Sequence, residues 1–186
     1  MFKELLSSIA SALNSKKIPY MVIGGHAVLV YGRPRLTEDI DITVGYDSSH
    51  YNKLLGICNK IGLKPLPKKI KEFVRKTNVL PAVEPKTKIR VDFIFSYTPY
   101  EMEAISRAIS IKIGKSNVSF ASVEDVILHK LFAGRERDFE DAQGIVARHK
   151  KKLNRAYLTK WAKEFSSLPG KGYIKSAFKK LMPRKK

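Results

Sequence analysis

Cysteine is nearly absent from the sequence, and so are the features that place a chain in a membrane. The single cysteine, Cys58, excludes a disulfide within the chain and is typical of a reducing compartment. No apolar run approaches the roughly 20 residues that span a bilayer. Residues 2–16 carry apolar side chains at helical spacing, with Glu4 where a signal peptide would be basic. We therefore expect a cytoplasmic protein without a membrane partner.

Acidic residues are scarce relative to basic ones. The 36 Lys and Arg outnumber the 17 Asp and Glu, which gives a formal net charge of +19. Most of the excess lies in residues 64–90 and 146–186, and the second segment holds fourteen basic residues against one acid, Glu164. Such a positive field favours a nucleotide or a nucleic acid as partner. The alternative is a lysine-rich surface that is simply well solvated.

Strands and helices alternate as far as about residue 121, and only helices follow. We predict strands near residues 20–24, 40–44 and 88–96, a further strand within 71–80, and a hairpin over 109–121. We predict helices near residues 2–16, 24–31, 47–62, 98–108, 122–134, 136–149, 155–167 and 171–181. This order predicts an α/β or α+β fold. Residues 1–121 would form a catalytic domain, a mixed sheet flanked by helices, and residues 122–186 a basic, helical C-terminal part.

Two aspartates, Asp39 and Asp41, stand in an otherwise apolar predicted strand, DIDITV. Alternate residues of a strand share a face, so both carboxylates point one way while Ile40, Ile42 and Val44 point the other. Like charges at this spacing repel unless a cation lies between them. The alternative is a strand end that reaches solvent, where both residues are ordinary surface acids.

A lone acid, Asp92, stands in a second apolar strand, RVDFIF. A charge buried there costs several kcal/mol unless it is paired or binds a metal. Three carboxylates on adjacent strands would form an all-oxygen site for Mg²⁺ or Mn²⁺, and a pair of such ions supports phosphoryl and nucleotidyl transfer. For Asp92 alone, the alternative is a salt bridge to an arginine such as Arg90.

A glycine pair, Gly24 and Gly25, follows the first predicted strand and opens a helix. Without Cβ atoms, the backbone N–H groups can approach phosphate oxygens, and the helix N-terminus adds partial positive charge. Most glycine pairs are only tight turns. Here thirteen residues separate the pair from Asp39, and this combination favours a phosphate-binding role.

The pattern of IGG, thirteen residues, DID and then a strand with one aspartate resembles the nucleotidyltransferase superfamily, which has the DNA polymerase beta-like fold. The resemblance is nearest to the AbiEii/AbiGii toxin-type nucleotidyltransferases. Their R-x-T-x-D-x-D segment corresponds here to Arg35, Thr37, Asp39 and Asp41. The resemblance covers about residues 18–146 and includes a later Lys, Arg and Asp, which are Lys130, Arg135 and Asp138.

The resemblance implies a nucleotidyltransferase-type mixed sheet and a metal-dependent transfer of a nucleoside monophosphate from an NTP. It implies that Asp39 and Asp41 bind both metal ions, and that Asp92 holds the ion that activates the acceptor and serves as its base. Gly24 and Gly25 would cradle the β- and γ-phosphates. The other predicted nucleotide-binding residues are Arg35, Thr37 and Lys130, with Arg135 and Asp138 in support.

The surroundings of Lys130 in the sequence also point to an anionic partner. Lys130 falls within the apolar stripe of its predicted helix, whereas Asp125 and His129 fall on the polar side. A lysine on a core-facing stripe must reach solvent or meet an anion. A bound nucleoside triphosphate would be that anion. The alternative is a structural acid, for which Asp138 is the obvious candidate.

These patterns predict a metal-dependent nucleotidyltransferase whose acceptor is RNA, in particular tRNA, held by the basic C-terminal part. A cognate antitoxin or toxin protein is a further expected partner. Two alternatives stay open. One is a small-molecule, antibiotic-type nucleotidyltransferase, which would call for an acidic acceptor pocket. The other is a nucleotide- or nucleic-acid-binding module without catalysis, against which the intact set of three acids argues.

Overall fold

A single mixed sheet dominates the computed structural model, which describes residues 1–32, 37–96 and 98–183. The strands among these residues are β1 (Tyr20–Val22), β2 (Asp39–Val44), β3 (Lys64–Pro65), β4 (Val79–Val83), β5 (Arg90–Phe95), β6 (Ile109–Ile113) and β7 (Ser116–Phe120). Their order in the sheet is β3-β4-β5-β2-β1-β7-β6. The pairs β2–β5 and β1–β7 are parallel, and the other neighbours are antiparallel. The predicted α/β fold with a mixed sheet is therefore confirmed.

Nine α-helices accompany the sheet within the described residues. They are α1 (Phe2–Ser15), α2 (Gly24–Tyr31), α3 (Tyr51–Ile61), α4 (Ile70–Thr77), α5 (Pro99–Ser106), α6 (Val123–Ala133), α7 (Glu136–His149), α8 (Arg155–Ser166) and α9 (Tyr173–Leu181). Two helix ends show how the sequence sets their limits. The Thr98 side chain accepts a hydrogen bond from the Glu101 N–H at the start of α5, and Gly62 ends α3 in the left-handed conformation.

The predicted strand within residues 71–80 is wrong for most of its length. Residues 70–77 form α4, and β4 begins only at Val79. Only Val74 of α4 is buried, but Ile70, Phe73 and Val74 lie at i, i+3 and i+4, which is the helical period, so the sequence carried the signal for a helix and the strand prediction overlooked it. Asn78 adopts the left-handed conformation that ends the helix and starts the strand.

The four strands β3, β4, β5 and β2 have two unlike faces. One face is apolar and fully buried, and its side chains are Ile40, Ile42, Leu80, Ala82, Val91 and Phe93. The other face carries polar side chains that are partly or fully accessible, among them Asp39, Asp41, Arg90 and Asp92. Strand alternation thus lets one set of strands build the core while presenting charged groups on the opposite side.

The chain divides into two compact units. The first contains Met1–His26 with Leu36–Ala121, and the second contains Ala27–Arg35 with Ser122–Lys186. In the first unit, α1 packs on β6, β7 and α3 through buried residues such as Ile9 and Leu13. In the second unit, α6 contacts α7, α8 and α9. None of the described helices is long and apolar enough to cross a membrane.

The prediction of a polar side on α6 is wrong, because neighbouring helices surround this helix. Asp125 is fully buried, accepts a hydrogen bond from the Tyr157 hydroxyl at 2.7 Å and also bonds the Ser122 hydroxyl. The Nε2 atom of His129 is buried as well, and burial lowers the pKa of this histidine to about 4. Tertiary packing here turns the polar residues of a helix into parts of a buried network.

Candidate active site

The three predicted acids lie on one face of two adjacent parallel strands. Asp41 on β2 is the direct register partner of Asp92 on β5, and Asp39 is the partner of Arg90. Register partners project to the same face, with backbones about 4.8 Å apart. Asp39 and Asp41 share that face because they are two residues apart on one strand. The structure therefore places the three residues on one face, with Asp41 opposite Asp92 and Asp39 two residues from Asp41 on β2.

Arg90 is the cation that this arrangement places among the acids. Its Nε donates to Asp92 Oδ1 at 2.8 Å, and the Asp92 side chain is 18% exposed. The pKa of Arg90 is raised, chiefly by the hydrogen bond to Asp92, which outweighs the opposing effect of burial, and further by the charges of Asp92, Asp39 and Asp41. The field of one guanidinium is thus felt by all three carboxylates. The structure thus contains the salt bridge between Asp92 and Arg90 that the sequence offered as an alternative to metal binding.

The donor atoms of this face suit a hard divalent cation, since carboxylate oxygens are the ligands that Mg²⁺ and Mn²⁺ prefer. As the side chains lie, no three Asp, Glu, His or Cys residues of the described part of the chain converge closely enough to ligate one ion. Asp92 Oδ1 instead accepts a hydrogen bond from Arg90 Nε. The residue types and their register suit a metal ion, which would have to compete with Arg90 for Asp92.

Gly24 lies directly against the acids. It has a φ of +62°, and a Cβ built on it would overlap the Asp41 carboxylate. The carbonyl of Asp41 accepts a hydrogen bond from the Ile23 N–H at 2.9 Å, which holds the start of α2 beside β2. The helix N-terminus, with its partial positive charge, therefore adjoins the carboxylate face, as a site for a metal-bound triphosphate requires.

Substituting Gly24 by alanine is expected to disable this site. Gly24→Ala must move the Asp41 side chain or the backbone, because the added methyl group would occupy the space of the carboxylate and an L-residue is strained at this φ. We expect NTP turnover to fall at least tenfold. The matched control is Gly56→Ala on α3, where a Cβ meets no atom within 4 Å. Near-equal activity of the two variants would contradict the proposed role of Gly24.

Three further residues were predicted to bind the nucleotide: Gly25, Thr37 and Arg35. Gly25 is buried in the first turn of α2. Thr37 is half-buried two residues before β2. Arg35 lies outside the described residues, so its predicted role stays a prediction.

Lys130, Arg135 and Asp138 form an ion-pair cluster within the second unit, in which Lys130 and Asp138 are buried and Arg135 is exposed. The Lys130 ammonium contacts Asp138 Oδ1 at 2.7 Å and Asp141 Oδ2 at 3.1 Å, and its side chain is 6% exposed. Arg135 Nε donates to Asp138 Oδ2 at 2.6 Å. Burial alone would raise the pKa of Asp138, but the hydrogen bonds from Arg135 and Lys130 outweigh it and lower that pKa. The structure thus contains the pairing of Lys130 with Asp138 that the sequence offered as an alternative to a phosphate contact. A phosphate contact of Lys130 stays a prediction.

Two members of these clusters were not among the predicted site residues. Arg90 faces the acids because it lies two residues before Asp92 on the same strand, and that spacing is visible in the sequence. Asp141 joins Asp138 at Lys130 because residues three apart on a helix share a face. In both cases the spacing that places the two residues on one face is visible in the sequence. The sequence does not show which charged residue of another element they meet.

A protein-family comparison gives a match over most of the chain. The profile of the family described as nucleotidyl transferase AbiEii toxin, type IV toxin–antitoxin system, matches residues 9–166. No curated protein matches the chain in sequence.

Several solved structures share the fold. ANT(2″)-Ia in complex with adenylyl-2″-tobramycin has a TM-score of 0.58 at 14% identity, over 95% of this chain and 98% of that chain. An antigenic nucleotidyltransferase-like protein from Paracoccidioides brasiliensis has a TM-score of 0.56 at 16% identity, over 95% and 91%. The lincosamide antibiotic adenylyltransferase LnuA, bound to lincomycin, has a TM-score of 0.53 at 17% identity, over 76% and 94%. At such identities the likeness shows the fold alone.

Proposed function

The chain belongs to the AbiEii nucleotidyltransferase toxin family, and we propose that it moves a nucleoside monophosphate from an NTP to RNA, with tRNA as the favoured acceptor. The observation that carries the proposal is the register of Asp41 with Asp92, with Asp39 on the same face and Gly24 against Asp41. Membership of a type IV toxin family implies an antitoxin partner.

The chemistry assigned to this face is in-line transfer at the α-phosphorus. A hydroxyl oxygen of the acceptor forms the new bond to the α-phosphorus, the bond from that phosphorus to the oxygen bridging the β-phosphorus breaks, and pyrophosphate leaves. The hydroxyl proton passes to Asp92, which is only partly exposed and lies beside Asp41. The N–H groups at the start of α2, at Gly24 and Gly25, would hold the leaving phosphates.

Asp39, Asp41 and Asp92 would hold the divalent cations that this reaction requires. Mg²⁺ or Mn²⁺, when bound, would offset phosphate charge and make the acceptor hydroxyl a better nucleophile. The Arg90 guanidinium, which already bonds Asp92, limits the net negative charge of the three carboxylates. Asp92 would exchange this bond for a metal bond, and Arg90 would then be available to a phosphate oxygen.

The charge distribution supports a polyanionic acceptor. The second unit carries an exposed run, Lys150 to Lys152, directly after α7. Residues 146–186 hold fourteen basic residues and one acid. Nucleic acids bind such surfaces through phosphate contacts that release counterions, whereas a small cationic antibiotic would be repelled by them.

Labelling with total RNA tests the proposed function. The protein is incubated with each α-labelled NTP, Mg²⁺ and total RNA, in parallel with a protein extract. We expect label in an RNA fraction, from tRNA in particular, and none in EDTA. Label in protein or in small molecules alone would overturn the proposed acceptor, and no transfer with any NTP would overturn the activity.

Charge reversal of the run after α7 tests the acceptor surface of the second unit. Lys150, Lys151 and Lys152 are all exposed, so their replacement by glutamate leaves the core intact. Wild-type affinity for RNA is expected to fall roughly a hundredfold between low and physiological salt, and the triple variant should bind more weakly with a flatter salt dependence. NTP affinity should not change. If the variant binds RNA as tightly as the wild type, these lysines do not bind the acceptor and belong to an ordinary solvated surface.

A further inference from the structure

A continuous row of register partners runs from the acids to the edge of the sheet. Asp41 pairs with Asp92, Asp92 with Pro81 on β4, and the Pro81 carbonyl accepts from the Leu66 N–H at 2.9 Å. Three strand spacings separate Asp41 from Leu66, about 15 Å. Because register partners share a face, this row lies on the face that bears the carboxylates.

A second row runs beside the first and ends on a lysine. Asp39 pairs with Arg90, Arg90 with Val83, and Val83 with Lys64 on β3. Lys64 thus lies on the carboxylate face at the edge of the sheet. Its side chain is exposed, two strands away from Arg90.

The segment that runs from β3 at this edge through α4 is basic and partly apolar. Residues 64–76 contain six basic residues and one acid, Glu72, and all seven are exposed. Two large apolar side chains are also exposed there, Leu66 at 49% and Phe73 at 39%. The surface of α4 holds a depression of about 610 Å³, lined by Lys69, Ile70, Lys71, Glu72, Arg75 and Lys76. Basic groups interleaved with apolar and aromatic ones are typical of surfaces that bind single-stranded nucleic acid.

We propose that the single-stranded end of the acceptor RNA lies across β4 and leaves the sheet over β3, with its terminal hydroxyl at Asp92 and its phosphates on Lys64 and Lys68. This inference rests on the proposed function and specifies where the acceptor runs. Both rows connect the carboxylates to the edge on one face. The second row supplies the path over β4, because Val83 is half-buried and Lys64 and Arg90 are exposed, whereas Pro81 in the first row is buried. The basic edge supplies the charge complementarity that a phosphate backbone needs.

Edge protection is the competing explanation for these lysines, since charged residues on a short edge strand prevent association between sheets. Substitution by glutamate separates the two roles, because glutamate keeps the edge charged while reversing its attraction for phosphate. The test variant is Lys64→Glu with Lys68→Glu. The matched control is Lys112→Glu with Lys115→Glu, two exposed lysines at β6 and the β6–β7 turn, on the opposite edge of the sheet. Both pairs lower the formal net charge from +19 to +15, because each substitution removes two charges.

Binding is measured by fluorescence anisotropy in EDTA without NTP, with a labelled single-stranded RNA of about 12 nucleotides as probe. The test variant is expected to lose at least tenfold in affinity at low salt. Its slope of log affinity against log salt should be shallower by about 1.4, since each phosphate contact on a single strand contributes about 0.7. The control pair should change the affinity by no more than about threefold. With Mg²⁺ and NTP, the test variant should need more RNA for half-maximal transfer, while its NTP dependence is unchanged.

The outcomes separate this inference from the proposed function. Equal losses in both pairs, or no loss in either, would overturn the acceptor path and leave the transfer activity standing. If the wild-type protein shows no transfer but its RNA binding depends on Lys64 and Lys68, the proposed activity is wrong and the proposed RNA-binding surface is retained. Intact RNA binding in a test variant that no longer binds its co-expressed antitoxin would assign the edge to a protein partner and overturn the proposal.

Discussion

Asp41→Asn is expected to stop nucleotide transfer without weakening the fold. Asparagine keeps the shape of the side chain and removes the charge that would bind metal beside Asp92. Transfer should fall by at least about a thousandfold, the equivalent of roughly 4 kcal/mol in transition-state stabilisation. Because the substitution also relieves repulsion between like charges, the melting temperature in EDTA should not fall below that of the wild type. Label incorporation and thermal melts on the same preparation give both values.

Asp47→Asn is the matched control for this variant. Asp47 lies three residues beyond β2, and its side chain accepts a hydrogen bond from the Ser49 N–H at 2.8 Å. Asparagine serves as well as aspartate in such a cap, so the control makes the same chemical change outside the acid face and should keep full activity. An Asp41→Asn enzyme that turns over at a near-normal rate would contradict the metal-binding role of the acids.

Asp138→Ala is expected to destabilise the folded chain by about 3–5 kcal/mol, because it leaves the buried Lys130 ammonium short of a partner. Lys130 would keep only Asp141, at 3.1 Å. The effect should shrink in acid. The folded-state pKa of Asp138 is lowered, so its contribution is complete above the unfolded value of about 3.9 and is lost as pH falls through the folded value. Urea unfolding between neutral and acid pH measures this dependence.

A double variant separates structural pairing from phosphate binding at Lys130. Lys130→Met with Asp138→Leu replaces the buried pair by apolar side chains of similar size, which is often neutral or stabilising. If the pair is structural, the double variant should recover part of the stability that Asp138→Ala loses, since Asp141 also gives up its contact with Lys130, and it should keep the NTP concentration for half-maximal turnover. A stable double variant with much weaker NTP binding would instead establish the phosphate contact predicted from the sequence. A double variant no more stable than Asp138→Ala would contradict the pairing argument.

Much of the carboxylate face was predictable because strand alternation is a local property. The DIDITV and RVDFIF segments show, from the sequence alone, that Asp39 and Asp41 share a face and that Asp92 interrupts an apolar strand. The sequence does not show that β2 and β5 are parallel neighbours with Asp41 opposite Asp92. Register is set by long-range pairing between segments about fifty residues apart, and only the family resemblance made this adjacency an expectation.

Features that depend on neighbours escaped prediction. On α6, Asp125 is polar in the sequence but fully buried in the fold, because α7, α8 and α9 surround the helix. The helix α4 is a different case, because Ile70, Phe73 and Val74 lie at helical spacing in the sequence and the strand prediction overlooked that pattern. For Asp92 and Lys130 the sequence left two partners open, and the choice of salt-bridge partner depends on side-chain rotamers that no local pattern encodes.

Parallel assays with α-labelled and γ-labelled NTP test whether the carboxylate face transfers a nucleoside monophosphate. Both assays contain Mg²⁺ and total RNA, and Asp41→Asn serves as the blank. We expect that RNA gains label from the α-position only, that one pyrophosphate is released for each nucleotide incorporated, and that Asp41→Asn incorporates nothing. Label transferred from the γ-position, or incorporation that persists in Asp41→Asn, would contradict this expectation.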